Sequence, residues 1–281
     1  MQPYPIGVFD SGVGGLSVLR ALRRQYPAQP AFYFADQQHV PYGARPLAEV
    51  RSFSEQITRH LLARGARLIV VACNTASAAA LHALRAAFPA VPFVGMEPAL
   101  KPAAEGTQSG VVGVLATPAT FQSDVYASIV ERFAQGVRVL QDTCPGLVQQ
   151  IESGSLTGPQ TRAILENALH PMLAAGIDTV VLGCTHYPFV IPLIQQITGP
   201  AVRVIDPAPA VARQTGRLLQ AHGWLADGSQ PVAPLFITSG DAATFHRLLP
   251  VLLQETGPVE SVGWQDGQVF TYRPFETQYT A

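Results

Sequence analysis

The sequence predicts an α/β fold in which two mainly parallel sheets face one another across a cleft, and three observations carry that reading. Short apolar runs alternate with longer stretches of helical periodicity, the order that βα units impose. The alternation halts in a small and polar stretch, PALKPAAEGTQSG, near residue 98, and then begins again. An apolar run ending in a cysteine occurs once in each half, as LIVVAC at Cys73 and TVVLGC at Cys184.

In chain order, PIGVFD reads as a strand, GGLSVLRALRRQY as a helix and AFYFAD as the next strand. In PLAEVRSFSEQITRHLLARG, Leu47, Val50, Phe53, Ile57 and Leu61 recur at three- and four-residue steps, which puts them on one face of a helix. LIVVAC, a helix over TASAAALHALRAAF and a strand at PFVGM complete the first series. Continuous Val/Ile/Leu runs mark strands buried on both faces, so the sheet is expected to be mostly parallel. The second series holds VVGVLAT, a helix from about Pro118 to Phe133, RVLQDT, a helical segment around PQTRAILENALHPMLAAG, and TVVLGC. The chain then passes RVIDPAPA and returns through a helix, a strand at PLFITSG and a helix over AATFHRLLPVLLQ.

The halves echo one another. IGVFDSGVG at Ile6 corresponds to VGVLATPAT at Val112, and LIVVACNTAS to TVVLGCTHYP, in the same order and at similar separation, as a degenerate internal duplication would give. Residues 98–207 are expected to form the second domain. Residues 1–97 and 208–281 are expected to form the first, because the second has its strands before the tail begins.

Composition narrows the function. A formal charge of −1, with 13% charged residues and no Lys/Arg block, offers no basic stripe for a phosphate backbone, so nucleic acid is not the expected partner. No apolar run reaches ~18 residues, and MQPYPIGVFD has no charged region leading into a long apolar segment; a cytoplasmic protein off the membrane is expected. Cys73, Cys144 and Cys184 form no CxxC pair and lie far apart, against a disulfide framework or a zinc ribbon. A free cysteine is more often a small buried hydrophobe than a nucleophile, so context must decide.

The context is the strand ends. Ligands bind at the carboxyl ends of strands in open α/β sheets, and Cys73 and Cys184 would stand there on opposite sides of one cleft. Two equivalent thiols suit a nearly symmetric reaction: one thiolate removes a proton from one face of a carbon while the other thiol returns one to the opposite face. That is racemisation or epimerisation. A free thiol with a pKa of ~8.5 is only slightly ionised at neutral pH, so each needs help. Cys73 precedes Asn74 and Thr75 at the start of a predicted helix, whose free N–H groups and dipole favour negative charge. Cys184 precedes Thr185 and His186, a hydroxyl and an imidazole able to pass protons. Asp10, at the end of the first strand, could serve Cys73 in the same way. Plainer readings stand beside these, with Asn74, Thr75 and Asp10 as helix caps and His186 as a polar loop residue. The turn DSGVGG matches neither GxGxxG nor a Walker A pattern; its amides suit the carboxylate of a small acid, and they equally suit a structural turn. VPYGARP places Tyr42 between Pro41 and Gly43, as a rigid specificity loop or as a connection.

These residues resemble the glutamate racemases of the cofactor-independent aspartate/glutamate racemase superfamily. The matching segments are IGVFDSGVGGLSV, YFAD followed by VPYG, VVACNTAS, QIESG and VVLGCTHYP, from Gly7 to Pro188 in family order, with a weaker echo in ITSGDAATF. The resemblance implies two flavodoxin-like domains around a closed cleft, no cofactor or metal, a homodimer, and interconversion of L- and D-glutamate for the bacterial cell wall. It implies Cys73 and Cys184 as the acid/base pair, assisted by Asp10 and His186. Carried over by position, Asp10, Ser11, Pro41, Tyr42, Gly43, Asn74, Thr75, Thr185 and His186 hold the amino acid. Thr117 and Thr120 line up with threonines that contribute in relatives, and Glu152 with an acidic residue near the second thiol. Cys144, in TCPGL, matches a structural segment and is expected to be a buried, non-catalytic thiol. Aspartate racemases share the paired cysteines and are the alternative. A Cys-His amidohydrolase acting through Cys184 leaves Cys73 without a task, and a non-catalytic amino-acid-binding module leaves the duplicated cysteine motif without one.

Overall fold

The computed structural model describes residues 4–228 and 230–271. Residues 1–3 and 272–281, the outer ends of the span expected for the first domain, lie outside the described residues.

The first series folds as β1 (Ile6–Asp10), α1 (Leu16–Gln25), β2 (Ala31–Ala35), α2 (Leu47–Ala63), β3 (Leu68–Val71), α3 (Asn74–Ala87) and β4 (Phe93–Val94). Successive strand side chains point to opposite faces, and the apolar runs use both. In β3, Leu68 and Val70 enter one core while Ile69 and Val71 enter the other. Val50, Ile57 and Leu61 of α2 are completely buried against that second face. Each contributes about 1.5–3 kcal/mol of apolar burial, which fixes the helix over the sheet.

The connection near residue 98 was read as small and polar, but it carries a helix, α4 (Leu100–Gly106). Leu100 and Ala103, three residues apart, share a buried face, and Arg203 donates to the Pro102 carbonyl at 2.9 Å. After β5 (Val111–Ala116), the single helix expected over 118–133 is two, α5 (Pro118–Phe121) and α6 (Asp124–Phe133). Each has its own N-cap: Thr117 Oγ1 accepts from Thr120 N, and Ser123 Oγ accepts from Tyr126 N. There follow β6 (Arg138–Asp142), α7 (Leu147–Glu152), α8 (Pro159–Ala174), β7 (Thr179–Gly183), α9 (Ile191–Thr198) and β8 (Arg203–Ile205). Periodicity did not announce α7, whose six residues are too few to show a repeat.

The tail forms α10 (Ala208–Ala221), β9 (Leu235–Thr238), α11 (Ala242–Leu252), β10 (Val259–Gln265) and β11 (Gln268–Thr271). The last hairpin was not read from the sequence, although its Asp266–Gly267 turn, with both residues at positive φ, is a strong short-range hairpin signal.

Among the described residues two sheets result, in the orders β11-β10-β9-β2-β1-β3-β4 and β6-β5-β7-β8. Among the described residues all strand pairings are parallel except that of β10 with β11. The tail strands extend the first sheet beside β2, with Phe34 opposite Ile237. β1 lies beside β3 in one sheet and β5 beside β7 in the other, so the four segments of the duplicated motif occupy equivalent positions. One continuous apolar cluster joins Val8, Leu19 and Tyr33 of the first lobe to Leu115, Leu182 and Tyr187 of the second, so the lobes share a core at their junction. Among the described residues no helix is long and apolar enough to cross a membrane.

Candidate active site

Cys73 follows β3 and is the N-cap of α3, its sulfur accepting from Ala76 N at 3.5 Å. It is 5% exposed. Burial pushes the thiol well above its usual pKa, the Asp10 carboxylate pushes it further, and the Ala76 N–H opposes them only in part. The helix terminus alone therefore does not ionise this thiol. Asp10, at the end of β1, lies near enough for its charge to act on the thiol. Burial raises the Asp10 pKa, while His186 and the Gly15 N–H pull it back in part. Asp10 also holds the turn in shape, because its Oδ2 accepts from Gly15 N at 2.8 Å and from Gly12 N at 3.4 Å. Capping and proximity to the thiol thus belong to one carboxylate.

The second thiol is arranged differently. Cys184, 6% exposed, follows β7, with His186 Nδ1 at 3.7 Å from its sulfur. The other ring nitrogen lies 2.6 Å from Glu152 Oε1. Burial lowers the His186 pKa, but the bonds to Cys184 and Glu152 outweigh it and carry it well above 6.5. Burial would raise Glu152, yet His186, the Val13 N–H and Gln37 together hold it below its ordinary value. The pair is therefore imidazolium and carboxylate. The glycines of the DSGVGG turn are required here. A Cβ on Gly12 would strike the Glu152 carboxylate, and one on Gly14 would strike the His186 ring. The turn amides bond Asp10 and Val13 N bonds Glu152, so these donors serve carboxylates of the protein itself.

Between the thiols lies a narrow cavity lined by Cys73, Asn74 and Thr75 from one strand end and Cys184, Thr185 and His186 from the other. Ser11, Pro41, Tyr42, Gly43 and Thr117 also line it, so every expected ligand-holding residue except Asp10 and Thr120 reaches it. Those two stand behind it, Asp10 against Cys73 and Thr120 with its hydroxyl 2.9 Å from that of Thr117. Thr117 is also 3.0 Å from Thr75 across the lobes, and a Cβ on Gly43 would lie 2.7 Å from Thr117 Cβ. Tyr42 donates its hydroxyl proton to Asp36 at 2.6 Å. The Asn74 side chain is buried, and both its amide atoms lack a hydrogen-bond partner among the described residues. Such an orphan costs about 1–3 kcal/mol, a cost that a bound ligand can remove.

The model of the Asp/Glu/hydantoin racemase family matches residues 6–215. The chain belongs to this family. A glutamate racemase of Ectopseudomonas mendocina is 51% identical over 256 residues, 91% of this chain and 97% of the relative. Among solved structures, a glutamate racemase from Escherichia coli in complex with L-glutamate and an activator superposes with a TM-score of 0.82 at 32% identity, over 93% of this chain and 98% of that one. One from Francisella tularensis in complex with D-glutamate gives 0.80 at 29%, over 94% and 98%.

For a racemase, the arrangement offers two buried proton carriers reaching one cavity from two lobes, each with a different partner. Among the described residues no group of three or more His, Cys, Asp and Glu side chains is placed to hold a metal ion. Cys144 is buried, has φ 45°, and is pushed up by burial and by Asp142. It lies outside the cavity wall. Two residues at the site escaped the sequence reading. Val148 of α7 lines the cavity, and Gln37 reaches Glu152 at 3.1 Å. An apolar residue in a short helix and a glutamine in a loop carry no chemical signature that would have singled them out.

Proposed function

We propose that the chain interconverts L- and D-glutamate by a two-base mechanism, with Cys73 and Cys184 on opposite faces of the α-carbon. The observation that carries this reading is the pair of buried thiols lining one cavity from the ends of equivalent strands, each backed by its own proton partner. The substrate is supported by the relatives: a curated protein 51% identical to this chain is a glutamate racemase, and two glutamate racemases of similar fold are solved with one or the other enantiomer.

In the resting site Cys73 is a thiol and Asp10 a carboxylate of raised basicity, so Asp10 can take the thiol proton as Cys73 becomes the base. On the opposite side the His186 imidazolium can return a proton to Cys184 after that thiol has protonated the carbanion. The forward turnover leaves Asp10 protonated and His186 neutral, the state from which the reverse turnover starts with the roles exchanged; release of the Asp10 proton to solvent and uptake of one by His186 reset the site, so the count of protons is conserved. The carbanion has no electron sink in these side chains, so hydrogen bonds from Ser11, Asn74, Thr75 and Thr185 and the exclusion of water must stabilise it. Asn74 is already desolvated and unpartnered, so its bond to the ligand displaces no protein contact. The resemblance further supports a cytoplasmic homodimer that supplies D-glutamate to peptidoglycan synthesis.

Proton NMR of the protein with L-glutamate in D₂O, with no cofactor added and optical rotation followed in parallel, tests the reading. Loss of the α-proton signal together with loss of rotation is expected. Exchange of L-aspartate but not glutamate overturns the substrate, and no exchange of either overturns the two-thiol mechanism.

A further inference from the structure

Glu152 rises from α7 in the second lobe, yet two of the three donors on its carboxylate come from the first. Val13 N donates to Oε1 at 2.8 Å and Gln37 Nε2 to Oε2 at 3.1 Å; the third is His186. Gln37 is itself fixed. Gly240 N donates to Thr238 Oγ1 at 3.0 Å, which leaves the hydroxyl proton for Gln37 Oε1 at 2.9 Å. The NH₂ group must then face Glu152. A Cβ on Gly240 would lie 2.7 Å from Gln37 Cβ, so the backbone there presses directly on the glutamine.

We propose, on the reading that the chain is a two-thiol racemase, that Gln37 held by Thr238 is a positioning residue that aims Glu152 at His186 only while the lobes are closed. Glu152, His186 and Cys184 belong to the second lobe, whereas Val13, Gln37 and Thr238 belong to the first. Separation of the lobes removes both outside donors at once, and the carboxylate is free to turn from the imidazole. The proton partner of Cys184 is thereby complete in the closed site and incomplete in the open one, which ties proton transfer on that face to the exclusion of water. The other titratable groups around Glu152, His186 and Cys184 are Asp10, Tyr33 and Cys73 from the first lobe and Asp142, Cys144 and Tyr187 from the second. None of them bonds Glu152.

The test uses Gln37→Met and Thr238→Val in the full chain, each alone and combined with Glu152→Gln, with thermal melting to verify folding. Both enantiomers have the same free energy, so kcat/KM must fall equally in the two directions. The α-deuterium isotope effect need not. If only the Cys184 step slows, the effect grows in the direction in which Cys184 takes the α-proton and shrinks in the other. The expected result is a fall in kcat/KM of about tenfold, the value of one bond to a charged group, with that split and with no further fall in the Glu152→Gln background. Unchanged kinetics, equal isotope effects in both directions, or additivity with Glu152→Gln overturns the proposal. A substrate-free arm keeps it separate from the glutamate assignment: alkylation of Cys184 by iodoacetamide across pH, in a Cys73→Ser background. Gln37→Met is expected to move that profile toward the profile of Glu152→Gln, and a profile identical to the parent overturns the proposal whether or not the parent chain racemises glutamate. A parent chain inert toward glutamate overturns only the substrate reading.

Discussion

His186 turns its Nε2 to Glu152 at 2.6 Å, and this commits the opposite nitrogen to face the Cys184 sulfur. Glu152 therefore sets the orientation of the imidazole and joins Cys184 in favouring its charged form.

The pair should leave a pH signature in stability. His186 has a raised folded pKa, so its contribution is whole below 6.5 and is lost as pH rises through the folded value. Glu152 has a depressed one, so its contribution is whole above 4.5 and is lost as pH falls through the folded value. Both are whole between pH 4.5 and 6.5. The melting-temperature loss caused by Glu152→Gln should be largest in that window and shrink at alkaline pH. A loss that does not vary with pH would refute the ion pair.

Cys73→Ser and Cys184→Ser should each lower racemisation by about 10²–10⁴-fold, the usual worth of a positioned proton carrier. Polarimetry with either enantiomer of glutamate measures this, and undiminished turnover in either variant would rule out that thiol.

Asn74→Ala should raise KM about tenfold or more, because a bond to a charged ligand is lost. The same change removes an orphaned buried amide, so the melting temperature of the free protein should not fall. A lower melting temperature with an unchanged KM would show instead that Asn74 serves the fold.

Gly14→Ala places a methyl group against the His186 ring and 2.7 Å from Thr185 Oγ1. The imidazole must move from Cys184, so kcat should drop by about 10²-fold or more. Gly110→Ala is the contrast: its site is also a glycine, but open, and backbone strain at φ +71° should lower stability with kcat unchanged. Steady-state kinetics and melting curves separate the two, and a full-rate Gly14→Ala enzyme would contradict the packing described for the turn.

Much of this was legible in the chain. Strands buried on both faces betray themselves as apolar runs, and the abrupt change to Cys-Asn-Thr or Cys-Thr-His at their ends marks where the core stops and the cavity begins. Asp10, Cys73, Cys184 and His186 were found that way. Thr117 and Glu152 came from the resemblance, because a lone threonine or glutamate in a loop or short helix says nothing about what it will face. The split of the 118–133 helix and the short α7 were missed, since caps such as Ser123 act locally and six residues carry no period.

The sequence by itself determined the α/β class, the recurrence of the strand-to-cysteine motif and the chemical types at the two strand ends, because local periodicity and residue chemistry need no knowledge of the fold. Only the tertiary structure decided what holds each thiol's partner in place. Asp10 pairs with Cys73 within the first lobe, whereas Glu152 is aimed at His186 by Val13 and Gln37, more than a hundred residues away in the chain. Hydrogen bonds and burial depend on distance in space, and no pattern along the chain encodes the closing of one lobe on the other.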